Sequence, residues 1–391
     1  MPQIFCSSRN GVFGVIAGSR IEFPSVLSSN NTIDKCLHFS DLSADVITFS
    51  LTECGKFIVL AFTDNYVRCY STDSLQLVGL ILLKKRAISI ICTKYCVSDN
   101  AENISLLTDK SGDLYALELP TLKKYTFLGG HTTSIITDIC RVGNFLATAD
   151  RDEKIRIVNY PDTFIIEAHC LGHASVISSL SVITNCGKSY LVSTGWDHKL
   201  IIWQPSQGRQ LDVYTFHDEI VQPEIEIEQP SPTTIGAIIS EEEKLEDFDQ
   251  NAAEEELSEK DESAAGTYPF KAICGRTSSL IFVIFRDSSR LEVLKVSEVN
   301  GSGTSTCEDG YVEETGVKIS KVFQYELPAI PCDFVLSEND EVLLVAFPCP
   351  HLLVCFDVIN AEDSFVLTRR TNMQCPQIEE FNEKHKGEFQ F

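Results

Sequence analysis

Short apolar segments rich in β-branched residues recur along this chain in groups of four, with turn-forming residues between them. The first complete group lies between Val46 and Leu83 and reads VITFSLT, KFIVLAF, YVRCYS and QLVGLILL. Three similar groups follow, beginning at AISIICT, SIITDIC and VISSLSV. The segments have the length and composition of strands, and no 3.6-residue helical period competes with them. The repetition predicts an all-β chain built from four-stranded antiparallel units.

A sharper pattern lies inside these groups. A Gly-His pair opens two of them, at Gly130-His131 and Gly172-His173, and Asp197 precedes Trp203 by six residues. The same six-residue spacing recurs twice, from Asp64 to Tyr70 and from Asp152 to Val158. Gly-His near the start of a repeat and Asp before a final Trp are typical of the WD repeat, which forms one propeller blade.

The one complete WD repeat predicts a buried hydrogen-bond network. His173, a hydroxyl at Ser193 or Thr194, Asp197 and Trp203 would link the loop that enters the blade to the turn between its second and third strands. A buried carboxylate is tolerated only where such donors meet its charge.

Seven blades are predicted. Weaker groups follow residue 267, in SLIFVIF, RLEVLKV and KVFQYEL and then in CDFVLS, EVLLVAF, LLVCFDV and SFVLTRR. The N-terminal IFCSS, VFGVIAG and RIEFPS would supply the remaining blade. The predicted organisation is residues 1–217 for the N-terminal blades, 218–266 for an insertion, 267–370 for the C-terminal blades and 371–391 for a tail. How the ring closes stays open at this point.

Charge and cysteine content exclude several classes of protein. The net charge is −24, and Asp218–Glu262 holds seventeen acidic residues against two lysines, which predicts a disordered acidic insertion. A chain this acidic is a poor candidate for binding nucleic acid mainly on its own. Fifteen cysteines, mostly within apolar runs and without a signal-peptide pattern, favour buried thiols in an intracellular protein. No apolar run is long enough to span a membrane.

The sequence predicts no catalytic, cofactor or metal site. GSGTST at Gly301–Thr306 lacks the third glycine of a dinucleotide loop and follows no strand-to-helix pattern. His169, Cys170 and His173 lie close together, but no Cys/His pair at ligand spacing completes a zinc site. Carboxylates could meet in a central channel, although nothing marks a pair. We therefore expect a non-enzymatic protein that works through its surface.

Two turns stand out on that surface. ADRDEKIR (Ala149–Arg156) is the most charged turn of the repeats, and STGWDHK (Ser193–Lys199) carries Trp196 where Gly, Asp or Ser is usual. Both are expected at the same end of adjacent blades. Charged turns with an added Trp are suitable for a protein interface, although such turns are also often simply solvated.

The same residues resemble a specific family. LGGHTTSIITDI, TADRDEKIRI, CLGHASVIS, DHKLIIW and SQGRQL, together with DKSGDLYAL at Asp109–Leu117, are similar in kind and order to the non-catalytic WD-repeat subunit of tRNA (guanine-N7)-methyltransferase. The resemblance is strong from Lys84 to Leu211 and thin elsewhere. Trp196 and the long acidic insertion depart from the family pattern.

This resemblance implies a heterodimer with an S-adenosylmethionine-dependent catalytic subunit that methylates guanine N7 in the variable loop of tRNA. The WD subunit would support and position that enzyme, hold no cofactor, meet tRNA mainly through the complex and reside in the nucleus, with the cytoplasm as a second compartment. The implied partner contacts, with Trp196 added from its place in the turn, are Glu153, Lys154, Arg156, Trp196 and Lys199.

Two other classes of function stay open from the residues alone. One is a general WD-repeat scaffold, such as a ubiquitin-ligase adaptor or a chromatin hub. The other is a propeller hydrolase with an active site in the channel. Co-purification separates the first class from a methyltransferase subunit, and an assay of the isolated chain tests the second.

Overall fold

The computed structural model describes residues 4–9, 12–17, 20–23, 35–38, 44–96, 101–131, 133–185, 187–217, 267–299, 316–347, 353–361 and 364–369. The chain divides into two compact units, one of Met1–Phe216 with Tyr268–Phe391 and the other of His217–Thr267. The predicted insertion (218–266) and the predicted tail (371–391) lie outside the described residues. The described part of the chain contains no helix that could cross a membrane.

The described residues of the first unit form seven four-stranded antiparallel sheets, each made from consecutive strands. The first four sheets contain β1 (Ile4–Arg9), β2 (Val12–Ala17), β3 (Arg20–Phe23) and β4 (Lys35–His38); β5 (Val46–Leu51), β6 (Phe57–Phe62), β7 (Tyr66–Ser71) and β8 (Leu77–Leu82); β9 (Ala87–Cys96), β10 (Ala101–Asp109), β11 (Asp113–Glu118) and β12 (Tyr125–Gly130); and β13 (Ile136–Val142), β14 (Phe145–Asp150), β15 (Lys154–Asn159) and β16 (Ile166–Leu171). The other three contain β17 (Ile177–Asn185), β18 (Lys188–Gly195), β19 (Lys199–Gln204) and β20 (Arg209–Thr215); β21 (Pro269–Cys274), β22 (Leu280–Phe285), β23 (Arg290–Val299) and β24 (Gly316–Glu326); and β25 (Asp333–Leu336), β26 (Val342–Ala346), β27 (Leu353–Ala361) and β28 (Ser364–Arg369).

The first strand of each sheet lies innermost. Each inner strand contacts the inner strand of the next sheet, from β1 through β5, β9, β13, β17 and β21 to β25, and β25 contacts β1. We number the sheets as blades 1 to 7 in chain order. The all-β WD-type propeller prediction is confirmed, and the number of sheets equals the predicted number of blades.

Most strands coincide with the predicted segments, and two do not. β21 (PFKAIC) was not among the predicted strands, because it begins with proline and carries a lysine within a short segment. β4 (KCLH) is similarly short and mixed. Both strands are recognisable only by the pairing that completes their four-stranded sheets, β21 with β22 and β4 with β3.

The core lies between neighbouring blades. The β-branched residues of the middle strands pack against the sheets on either side, because alternate residues of a strand face opposite ways. Blades 4 and 5 share a cluster that includes Ile157, Cys170, Ile201 and Trp203. Blades 3 and 4 share another, with Val158 at the position that Trp203 holds in the next blade. Position along the strand therefore decides which pair of blades a side chain joins.

Candidate partner-binding site

The predicted network of blade 5 is present. His173 Nδ1 lies 2.9 Å from Asp197 Oδ1, and His173 Nε2 lies 2.8 Å from Ser193 Oγ. Trp203 Nε1 donates to the same hydroxyl oxygen at 2.8 Å. All groups are satisfied when the indole donates to Ser193, Ser193 donates to His173, and His173 donates to Asp197. Ser193 rather than Thr194 supplies the hydroxyl, and the loop at His173 is tied to the turn at Asp197.

Blade 4 contains a second network that differs in its acid. His131 Nδ1 lies 2.8 Å from Asp150 Oδ2, and His131 Nε2 lies 2.8 Å from Thr148 Oγ1. The six-residue spacing had singled out Asp152, which is instead exposed in the turn. The pattern was wrong here because Asp150 ends its strand and can also cap the turn, accepting the amides of Asp152 and Lys154 at 2.9 Å each.

A glycine explains why the two blades differ. Gly195 occupies in blade 5 the strand-end position that Asp150 occupies in blade 4. A Cβ at Gly195 would lie 2.7 Å from His173 Nδ1 and 2.8 Å from Asp197 Oδ1. An acid at the strand end and an acid in the turn would therefore compete for the same space beside the histidine.

Both acids remain ionised in these networks. Burial by itself would raise the pKa of Asp150 and of Asp197, but hydrogen bonds from the histidines and from backbone amides outweigh it and lower both pKa values below the ordinary range. The histidine–aspartate pairs thus fix the two turns that follow β14 and β18. We call the end of the propeller that carries these turns, residues 151–153 and 196–198, the turn face.

The predicted contact residues occupy this face in different ways. Glu153 and Lys154 are exposed, and Glu153 has a φ of 69°, the left-handed conformation of a tight turn. Arg156 is half-buried and donates from Nη1 to the Gly130 carbonyl at 2.6 Å, rather than pairing with Asp150 or Asp152. Lys199 is half-buried, with its Nζ 3.9 Å from Asp197 Oδ2. Glu153 and Lys154 are fully available to a partner, while Arg156 and Lys199 also serve the fold.

Trp196 differs from the sequence-based expectation. The sequence predicts that Trp196 is buried only when a partner protein binds. In the structure its ring already packs against Tyr268 of blade 6, with centroids 4.8 Å apart and planes inclined by 33°. Its amide also donates to the Val176 carbonyl at 2.9 Å. Tyr268 lies seventy-two residues further along the chain, beyond the insertion, so no local pattern could predict the contact. Trp196 therefore joins blades 5 and 6 and offers only part of its ring to a partner.

Replacing Trp196 with alanine is expected to reduce the stability of the isolated chain as well as association. An aromatic pair contributes about 0.5–1.5 kcal/mol beyond the area it buries. A double-mutant cycle of Trp196→Ala and Tyr268→Ala, measured by urea unfolding, should give a coupling free energy in that range. Strictly additive effects would show that the two rings do not stabilise each other.

Carboxylates near the inner strands act as ties between blades. Asp138 accepts the amides of Leu180 and Ile139 at 2.8 Å each, and a longer bond from Ser89 at 3.3 Å. Burial raises the pKa of Asp138 even though these donors oppose the shift. Lys271 donates to Asp333 at 2.5 Å across the boundary between blades 6 and 7. Asp138 and Asp333 therefore both form hydrogen bonds within the fold. The described residues contain no cluster of His, Cys, Asp and Glu that could bind a metal ion.

Sequence reasoning missed a basic cluster at the turn face. Lys84, Lys85 and Arg86 enter blade 3 on an exposed loop, and Lys110 lies in the turn that follows β10. The Lys110 amide donates to the Arg86 carbonyl at 2.9 Å, which holds the two segments together. We call these four residues the basic cluster. The three consecutive basic residues at 84–86 could have indicated this cluster from the sequence. Lys110 joins them only because the fold places its turn beside Arg86.

The chain resembles known proteins in both sequence and fold. Residues 120–301 match the family model described as the tRNA methyltransferase TRM82 WD40 domain. The TRM82 non-catalytic subunit of tRNA (guanine-N(7)-)-methyltransferase from Saccharomyces cerevisiae is 28% identical over 172 residues, which cover 39% of this chain and 38% of that protein. The wuho non-catalytic subunit from Aedes aegypti is 35% identical over 181 residues, 43% of each protein. The resemblance drawn from the sequence is confirmed, over about two fifths of these relatives' length.

Solved structures support the fold alone. A chain of the mitotic checkpoint complex superposes with a TM-score of 0.57 at 13% identity, covering 88% of this chain and 87% of that one. The Cps50 (Swd1) β-propeller domain of Myceliophteria thermophila gives a TM-score of 0.57 at 9% identity, covering 88% of this chain and 93% of that one. These superpositions indicate a shared propeller architecture. Because the sequence identities are so low, they say nothing about function.

Proposed function

We propose that this chain, whose WD40 region belongs to the family of the TRM82 and wuho proteins, is the non-catalytic subunit of a tRNA (guanine-N7)-methyltransferase. It stabilises and positions a catalytic, S-adenosylmethionine-dependent subunit that forms N7-methylguanosine in the variable loop of tRNA. The observation that carries the proposal is the position of the match to the family model. The matched residues, 120–301, include both turns of the turn face. The proposal includes a nuclear location, which microscopy of the tagged full chain would test.

The turn face has the features that a docking surface for a folded enzyme needs. Its two turns are held rigid by buried histidine–aspartate pairs, so little conformational entropy is lost on binding. Exposed Glu153 and Lys154 carry opposite charges that can orient a partner. Half-buried Arg156 and Lys199 can form stronger, partly desolvated contacts beside them.

A native pull-down of the full chain with mass spectrometry tests the proposal directly. We expect a tRNA methyltransferase to dominate the captured proteins, and the co-expressed pair to methylate tRNA at guanine N7. The isolated chain should bind no S-adenosylmethionine in calorimetry. Ubiquitin-ligase or chromatin components in place of a methyltransferase would contradict the proposal, as would stoichiometric cofactor binding by the chain alone.

The basic cluster supports a contribution to tRNA placement within the complex. Exposed lysines and arginines bind phosphates and release counterions, and four of them concentrated on an acidic chain form a local exception to its charge. They lie at the same end of the propeller as the turns 151–153 and 196–198, because loops entering a blade and second-to-third-strand turns share one end of a meander. A tRNA held by the catalytic subunit could therefore reach them.

Replacing Lys84, Lys85 and Arg86 with alanine is expected to weaken tRNA binding by the complex without weakening subunit association. The slope of log K against log salt should fall by about two to three, roughly one for each phosphate that is no longer neutralised. Lys123→Ala with Lys124→Ala, exposed at the opposite end of blade 3, is the matched control. An unchanged salt slope in the triple variant would remove the basic cluster from tRNA binding.

A further inference from the structure

A lateral groove of about 280 Å3 lies between blades 3 and 4. This groove is equivalent in position to the space that the Trp203 indole fills between blades 4 and 5. Val158 pairs with Leu146 as Trp203 pairs with Leu191, so the two residues hold equivalent positions. Trp203 Cη2 lies 2.9 Å from where a Cβ on Gly172 would stand. The corresponding space beside Gly130 belongs to the groove, because Val158 is too small to fill it.

The lining of this groove combines an apolar rim with polar groups in its wall. Phe127, Phe164 and Ile166 form the rim and are 48%, 72% and 50% exposed. Arg156 lies in the wall, and its buried Nε has no hydrogen-bond partner among the described residues. The Thr148 hydroxyl occupies the place of Ser193 but receives no indole N–H. The guanidinium carries a permanent positive charge and only hydrogen-bond donors, so the groove favours an occupant that brings an acceptor.

We propose that the groove receives one aromatic side chain of the catalytic subunit, carried beside a carboxylate that pairs with the Arg156 guanidinium. This inference rests on the proposed function. The occupant is chosen by complementarity: the rim is apolar, the wall is cationic, and the space matches that of a ring packed in the adjacent blade boundary. The groove also shares Arg156 with the turn face, so one partner can engage both surfaces. An anchor in a pocket beside a charged rim is the usual composition of a binding hot spot.

Filling the groove from within the chain tests the proposal. In Val158→Trp, the new indole should occupy the groove and donate to Thr148, as Trp203 donates to Ser193. The free variant should then melt at or above the wild-type temperature, while its affinity for the purified catalytic subunit falls about ten-fold or more. Val158→Ile, which leaves most of the groove open, should bind as the wild type does.

A second variant covers the case in which Val158→Trp does not fold. Phe164→Asp places a charge on the exposed rim, and its expected loss of affinity is also about ten-fold, or about 1.4 kcal/mol. Leu80→Asp, 49% exposed on blade 2, is its control. Wild-type affinity in Phe164→Asp, or in a folded Val158→Trp, would overturn the groove proposal alone. Failure of the wild-type chain to bind any tRNA methyltransferase would instead overturn the proposed function.

Discussion

Replacing Trp203 with alanine is expected to lower the free energy of unfolding by about 3–5 kcal/mol. Its side chain is 1% exposed, and its ring packs against Gly172 and the other buried residues between blades 4 and 5. Removing it leaves a cavity and also deprives Ser193 of the indole donor. Both losses act on the network that ties the entering loop to the turn at Asp197. Urea unfolding of the full chain, followed by circular dichroism, measures the change.

Two further variants separate the contributions. Trp203→Phe keeps most of the buried ring but lacks the N–H, so its cost should be smaller, about 1–3 kcal/mol for the lost hydrogen bond to Ser193 and the missing ring atoms. Val158→Ala, at the equivalent position of blade 4, should also cost less than Trp203→Ala because fewer buried atoms are removed. Equal effects for Trp203→Ala and Val158→Ala would show that the indole does not have the structural role assigned to it.

Reversing the charge of Arg156 or Lys199 is expected to weaken binding of the catalytic subunit by about 2–5 kcal/mol, roughly thirty-fold or more in Kd, and so to lower tRNA methylation. The loss arises because a buried partner charge would be left without its counter-charge. The measurement is the affinity of Arg156→Glu and Lys199→Glu for the purified catalytic subunit. Lys123→Glu makes the same change on an exposed turn at the opposite end of blade 3 and should bind normally.

Folding and binding must be measured separately for these two residues. Arg156 donates to the Gly130 carbonyl, so Arg156→Glu is expected to lower the melting temperature of the free chain as well. The Lys199 ammonium lies 3.9 Å from Asp197 and makes no comparably short hydrogen bond, so Lys199→Glu should lower the melting temperature less than Arg156→Glu does. Lys199→Glu is therefore the cleaner test of the interface. Normal association of both variants would exclude this part of the turn face from the partner contact.

Much of the fold could be predicted from the sequence, because the residues that define a blade lie close together along the chain. Short apolar runs rich in β-branched residues predict strands, and the spacing from His173 through Ser193 to Trp203 predicts a network that the structure contains. The family resemblance could likewise be read from contiguous residues such as those of Ala149–Arg156. The partner contacts at Glu153, Lys154 and their neighbours remain predictions, because a docking surface is defined only by what docks on it.

Other features depended on which strands the ring places side by side. Spacing favoured Asp152, yet Asp150 pairs with His131, because a strand-end acid and a turn acid compete for one space. Trp196 packs against Tyr268 because blade 6 follows blade 5 around the ring, whatever the length of chain between them.

By itself, the sequence determined all the strands except β4 and β21, the repeat and the histidine–aspartate–tryptophan network of blade 5, since each arises from residues within one blade. Only the tertiary structure decided the groove at Val158, the union of Lys110 with the basic cluster and the burial of Trp196. Each of these depends on side chains from separate segments or neighbouring blades, and their distances are set by how the sheets pack around the ring.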